Sequence, residues 1–239
     1  MSAFPQTDWI RLAALREGRA EDKQRVLGEL FGRYRDPVLA YLRGRGSRAE
    51  QAEDLVQDFF LHAIRHGLFE KADASRGRFR NLLLTALQHY AAKAHRAEHA
   101  LRRRPAGGFA GNDVADLPEG ALPADHATPE RAFLRGWALT LIRRVLVVLE
   151  KEYAGPDRRA HYEIFRRLLI APILEGTGAP TQHELAGALG LTEKEVANRL
   201  VTARRAYQRL LREEIATYAR SEAEIDEEVR ELFQKLSQP

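Results

Sequence analysis

The chain has no cysteine among its 239 residues. A disulfide scaffold, a zinc ribbon and a cysteine nucleophile are therefore excluded, and a reducing compartment is favoured. No run approaches the roughly 18 uncharged apolar residues that a membrane span requires. The first residues also lack the basic start and apolar stretch of a signal peptide. These absences predict a cytoplasmic protein that does not bind membranes.

Motifs for nucleotide and metal chemistry are also missing. Neither GxxxxGK[ST] nor GxGxxG occurs, and there is no HExxH. Two histidine pairs, His62 with His66 and His95 with His99, have the four-residue spacing of helical metal ligands but lack a convincing third ligand. We therefore expect the chain to have no enzymatic activity, no cofactor and no metal.

Charge is distributed in blocks along the chain. Residues 1–104 hold 20 basic and 13 acidic side chains, and residues 131–212 hold 15 basic and 8 acidic. Residues 105–130 have five acidic side chains and no basic one, and residues 213–239 have eight acidic against three basic. Two basic blocks indicate two modules that face a polyanion. An ordinary solvated surface is the alternative interpretation.

The acidic segment between the basic blocks has the composition of a linker. It contains four glycines, four prolines and six alanines, and its apolar residues follow neither helical nor strand periodicity. The predicted organisation is a domain at 1–104, a flexible linker at 105–130, a second domain at 131–212 and an acidic C-terminal helical extension at 213–239.

Helical periodicity dominates both predicted domains. Within residues 49–66, apolar side chains recur at helical spacing and form one stripe, namely Ala52, Leu55, Val56, Phe59, Phe60 and Ala63. Similar patterns mark residues 26–42, 79–99, 133–153 and 160–170. No segment alternates with a period of two for long enough to be a strand. The predicted fold class is all-α, with two helical domains.

Residues 181–212 carry two signals for helix starts. Thr181 with Glu184, and Thr192 with Glu195, both fit the capping box S/T-x-x-E. The first helix can then be only about two turns long, and Gly190 suits the positive φ of the turn after it. This pattern predicts a helix-turn-helix whose second, basic helix fits the major groove of DNA. A helical hairpin with a solvated basic face is the alternative.

Three stretches resemble parts of bacterial RNA polymerase sigma factors. VANRLVTAR at residues 196–204 is similar to the helix that reads the promoter −35 element. AEDLVQDFF at residues 52–60 resembles the polymerase-binding helix of sigma region two, and FRNLL at residues 79–83 resembles the helix that opens the −10 element. A linker stands where other sigma factors have a region-three domain. This layout resembles the extracytoplasmic-function (ECF) subfamily.

The resemblance implies roles for three groups of side chains. One group would dock on the coiled coil of the polymerase β′ clamp: Glu50, Glu53, Asp54, Gln57 and Asp58. A second group would hold the −10 DNA: Arg76, Arg78, Arg80, Asn81, Gln88, His89, Lys93 and Arg96. The third group would bind the −35 duplex: Thr192, Lys194, Asn198, Arg199, Arg204 and Arg205. In the third group arginine and asparagine suit base edges, and the later arginines suit phosphates.

The function implied by the resemblance is that of a sigma factor. Such a protein binds core RNA polymerase, recognises promoter DNA and opens it for transcription. Two other functions stay open. A helix-turn-helix regulator that binds DNA without polymerase leaves residues 50–104 unexplained, and a helical adaptor between proteins makes the resemblances accidental.

The acidic extension has a third capping box, formed by Ser221 and Glu224. The helix that starts there places five apolar side chains on one face: Ile225, Val229, Leu232, Phe233 and Leu236. A helix this short needs an apolar surface for stability. Three roles stay open, namely an acidic mask over the DNA-binding surface, a structural brace for the second domain, and a docking site for a regulatory protein.

Overall fold

The computed structural model describes residues 19–72, 77–102, 128–219 and 221–237. Every regular element in these ranges is helical, and none of them contains a strand. The predicted all-α fold class is therefore confirmed. Most of the predicted linker lies outside the described residues, so the predicted domain boundaries stay predictions.

The helices have clear bounds along the chain. In order they are α1 (Ala20–Gly44), α2 (Ala49–Arg65), α3 (Phe79–Arg102), α4 (Pro129–Glu152), α5 (Pro156–Phe165), α6 (Ala171–Glu175), α7 (Gln182–Leu189), α8 (Glu193–Ala216) and α9 (Glu222–Ser237). A five-residue π-helix, Arg166–Ile170, joins α5 to α6. The helix predicted at residues 160–170 therefore starts earlier and changes its winding in its second half.

The described chain forms two compact units. The central unit is Tyr34–Leu134, and the discontinuous unit combines the chain up to Arg33 with Arg135–Gln238. In the central unit, aromatic rings hold the helices together. The ring of Phe79 lies edge-on to Tyr34, with 5.3 Å between centroids, and stacks on Phe69 at 6.1 Å. Phe59, on the buried stripe of α2, is 1% exposed, as the apolar spacing predicted.

The discontinuous unit has its own core around α8. The ring of Tyr207 packs against Phe165 at a centroid distance of 5.0 Å, and burial raises the pKa of its hydroxyl. A polar cluster ties α1, α4 and α8 together. Glu214 Oε1 accepts hydrogen bonds from Arg144 Nε (2.9 Å) and from the nearly buried Arg33 (3.2 Å). Arg33 belongs to this unit although 181 residues separate it from Glu214.

Candidate nucleic-acid and protein interfaces

Both predicted capping boxes at the start of α7 and α8 are present. The Thr181 backbone N–H donates to Glu184 (2.7 Å) and the Thr192 backbone N–H donates to Glu195 (2.8 Å), while each threonine hydroxyl accepts from the glutamate N–H. These hydrogen bonds lower the pKa of both glutamates. Gly190 ends α7 at φ +65°, in the left-handed region that glycine tolerates. The turn between α7 and α8 is thus determined by residues close to it in the sequence, namely Gly190 and the Thr192–Glu195 capping box.

Replacing Thr192 by alanine should lower the free energy of unfolding by about 1 kcal/mol, because the first turn of α8 loses its side-chain acceptor. Urea unfolding monitored by circular dichroism measures the change. Thr202→Ala is the matched control, because that exposed hydroxyl lies within α8, away from its first turn, and donates to the carbonyl of Asn198. Equal stability of the Thr192 variant and wild type would contradict the prediction.

The cap also has a pH dependence with a definite sign. The hydrogen bonds of the cap lower the pKa of Glu195 in the folded state. The ionised carboxylate therefore stabilises the fold above the unfolded-state pKa of about 4.3, and this stabilisation is lost as the pH falls through the lower folded-state pKa.

A small core joins α7 to α8. Leu185, Ala186 and Val196 are buried together, and the small side chain of Ala186 suits a close approach of the two helices. Ile164 and Leu168 complete this core. They come from α5 and the π-helix, in a stretch to which the sequence assigned no role. The segment formed by α5 and the π-helix therefore packs on α7 and α8 as a third helical element.

The side of α8 opposite its core carries Lys194, Asn198, Val201 and Arg205, which we call the outward face of α8. All four are exposed, and they are spaced four, three and four residues apart. Val196, Ala203 and Tyr207 are buried on the other side of the helix. Three of the predicted −35 contacts thus share one polar surface.

The remaining predicted −35 residues have other positions. Arg204 is exposed on the flank of α8. Arg199 is half-buried on the core side, beside His161 of α5. Burial lowers the pKa of His161, and the positive charges of Arg199 and Arg158 lower it further. The Thr192 hydroxyl is bonded within the capping box.

The predicted polymerase-docking residues lie on α2. Four are exposed on the side opposite the buried stripe, and we call them the acidic face of α2: Glu50, Asp54, Gln57 and Asp58. Glu53 is different, because its carboxylate lies 2.6 Å from the guanidinium of Arg35 and 3.8 Å from that of Arg43. Glu53 therefore holds α2 to α1 within the central unit.

An apolar side chain on the same surface escaped the sequence analysis. Leu61 is 49% exposed and follows Asp54 by seven residues and Asp58 by three, which places it on the acidic face. The sequence could have indicated the exposure of Leu61, because Leu61 lies off the buried stripe of α2.

Four of the eight predicted −10 residues share one surface of α3. Asn81, His89, Lys93 and Arg96 are exposed, opposite the buried Leu83 and Leu87. They form an open polar side of the helix.

The approach to α3 is only partly described. Gly77 precedes the helix with φ +111°, which only glycine adopts without strain. Arg78 is half-buried. Arg76 lies outside the described residues.

Two predicted −10 contacts need correction. Arg80 is 2% exposed, so its guanidinium is in the interior of the central unit and does not face a nucleic acid. The side-chain amide of Gln88 donates to Glu130 Oε1 at 3.0 Å, and this hydrogen bond is the main cause of a lowered pKa of Glu130. The hydrogen bond of Gln88 joins α3 to α4 within the central unit.

The C-terminal helix packs on the end of α8. Ile225 and Leu232 are almost fully buried, as the predicted apolar face requires. Phe233, which was predicted on the same face, is instead 46% exposed. Arg212 binds Asp226 at 2.5 Å and Glu222 at 2.6 Å. Arg212 follows Arg205 by seven residues, on the same side of α8, so the burial of Ile225 and Leu232 and not these ion pairs favours the brace over the mask.

Two kinds of site are not found in the part of the chain that the structure describes. No group of three or more His, Cys, Asp or Glu side chains there could hold a metal ion. Nor does any described helix have the length and apolar character that crossing a membrane would require.

Comparison with known proteins gives one match. Residues 30–100 match the family model described as Sigma-70 region 2, a range that contains all of α2 and most of α3. No curated protein matches the chain, and no solved structure does. This part of the chain is therefore similar to region 2 of the sigma-70 factors, which supports a sigma-factor-like role in promoter recognition.

Proposed function

We propose that the chain is a sigma factor of the ECF type, which binds core RNA polymerase and directs it to a promoter. The observation that carries the proposal is the match of residues 30–100 to sigma-70 region 2. Inside that range lie both the acidic face of α2 and the polar side of α3. The alternative of a DNA-binding regulator without polymerase gives no role to either surface.

The proposal divides the work among three helices. The acidic face of α2 docks on the polymerase β′ clamp, with carboxylates that pair with basic groups and with Leu61 as an apolar contact between them. The polar side of α3 holds the −10 strand after the duplex opens. Opening a few base pairs costs several kcal/mol, which contacts to phosphates and unstacked bases offset.

The outward face of α8 reads the −35 duplex in this proposal. Asn198 stands at its centre, and an asparagine amide makes two hydrogen bonds to an adenine edge. Arg205 and Lys194 flank it and suit guanine edges or phosphates. Arg199 is half-buried on the core side of α8, so the proposal assigns it no contact with a base.

Asn198→Ala should weaken binding to the correct −35 sequence by about 1–3 kcal/mol and leave binding to a scrambled sequence nearly unchanged. Affinities are measured by fluorescence anisotropy, for the chain in complex with core polymerase, on a site selected from random DNA. Equal losses on both DNAs would remove Asn198 from the base-reading side chains.

Arg204→Ala is the matched comparison for Asn198→Ala. Arg204 is exposed on the flank of the same helix, where a phosphate contact carries no base information. The Arg204→Ala substitution should weaken binding to the correct and the scrambled sequence alike, and it should lower the slope of log affinity against log salt by about 1.

Transcription from a defined promoter tests the proposal as a whole. Purified core polymerase plus the chain should initiate on DNA selected by the complex, whereas core polymerase alone should not. A chain that binds the DNA but neither binds polymerase nor supports initiation would be a regulator instead. A chain that binds neither DNA nor polymerase would favour the protein adaptor.

A further inference from the structure

Val201 is the residue of the outward face of α8 to which the proposed DNA contacts give no role. Its side chain is 49% exposed, although its neighbours on the outward face are lysine, asparagine and arginine. Asn198 precedes it by three residues and Arg205 follows it by four, so Val201 lies between these two side chains on the outward face.

Helix stability does not explain a valine here. A β-branched side chain loses rotamer freedom in a helix and is a weaker helix former than alanine, lysine or arginine. The buried side of α8 is formed by other residues, among them Val196 and Ala203, both 0% exposed. Val201 is not part of that buried side, and about half of its side chain is open to a contact outside the chain.

The chemistry of the surface identifies that contact. Base edges in the major groove display hydrogen-bonding groups, and their one apolar feature is the C5-methyl group of thymine. An apolar side chain between groups suited to adenine, guanine and phosphate has the position of a thymine reader. We propose that Val201 contacts the methyl group of one thymine in the −35 element and selects that base. This inference rests on the proposed function of α8.

Replacing thymine by deoxyuridine tests the contact, because it removes the methyl group and keeps every hydrogen-bonding group. The full chain in complex with core polymerase is measured on its selected DNA, with each −35 thymine replaced in turn. Wild type should lose about fourfold in affinity at one thymine, as expected for about one methyl-sized group removed from an apolar contact. Val201→Ala should bind thymine and deoxyuridine equally at that position.

Val147→Ala is the matched control. Val147 is also an exposed valine in the discontinuous unit, 52% exposed on α4. Its variant should keep the wild-type ratio between thymine and deoxyuridine at every position. Because the readout is a ratio for one protein, a change in polymerase affinity does not alter it. Circular dichroism should show unchanged helicity for both variants.

Two results would overturn the inference. Wild type could tolerate deoxyuridine at every −35 position, or Val201→Ala could keep the wild-type discrimination. Either result leaves the proposed function intact, because Asn198 and transcription test that separately. If the complex selects no DNA sequence, the proposed function fails and the assignment of Val201 fails with it.

Discussion

Exchanging both Asp54 and Asp58 for lysine will abolish binding of the chain to core RNA polymerase. Both carboxylates are exposed on the acidic face of α2, where the proposal places basic groups of the partner. Coupling energies of close charge pairs across interfaces reach about 1.5–7 kcal/mol, so reversing two charges should lower affinity at least a hundredfold. Titration of labelled chain with purified core polymerase measures the loss. Exposed substitutions change stability by less than about 0.5 kcal/mol each, so the fold should survive.

Glu53→Gln is the control that the structure offers for this experiment. Glu53 lies on the same helix, but its carboxylate bonds the guanidinium of Arg35 in the central unit. Its variant should keep polymerase affinity within about twofold and lose at most about 1 kcal/mol of stability. Wild-type polymerase affinity in the double variant would show that α2 does not form the docking surface.

Truncation after Arg212 will unfold the discontinuous unit. The deletion removes Ile215, Ile225 and Leu232, each at most 2% exposed, together with the carboxylate of Glu214 that binds Arg33. Truncating one buried aliphatic side chain costs about 2–5 kcal/mol, so losing three is comparable to the whole 5–15 kcal/mol that typically stabilises a domain. Calorimetry of the truncated chain should therefore lack one thermal transition. An acidic mask would instead give tighter DNA binding with little change in melting temperature.

A point substitution separates brace from mask without deleting chain. Leu232→Ala should lower the free energy of unfolding by about 2–5 kcal/mol, because Leu232 is fully buried. Gln234→Ala is the control, since Gln234 is exposed on the same helix and its substitution should be nearly neutral. Unchanged stability of the Leu232 variant, with tighter DNA binding, would restore the mask.

Features set by neighbouring residues could be predicted from the sequence. The capping boxes at Thr181 and Thr192 depend on a threonine, a glutamate three residues later and the backbone between them. The buried stripe of α2 depends only on helical spacing. The exposed acidic face follows from the same spacing, because residues off the stripe face away from the core.

Features set by distant residues could not be predicted. Nothing near Gln88 indicates that it bonds Glu130, 42 residues away. The burial of Arg80 did have a local signal, because Arg80 precedes the buried Leu83 by three residues and Leu87 by seven on the same side of α3. The hydrogen bond from Arg33 to Glu214 could not be predicted either, because the two residues are 181 positions apart in the sequence. The π-helix Arg166–Ile170 also lacks a local signal, since one extra residue in a turn leaves the apolar pattern nearly unchanged.

In the proposed function, the residues of α8 that select the DNA sequence are not the residues that stabilise its fold. Lys194, Asn198, Val201 and Arg205 lie away from the core, so the helix folds whatever polar or small side chains stand there. Substitutions at such exposed positions typically change stability by less than about 0.5 kcal/mol. Duplicated copies of the gene could therefore diverge at these four codons and acquire new target sites without passing through unstable intermediates. A library randomised at these codons would be a compact starting point for engineered promoter selectivity.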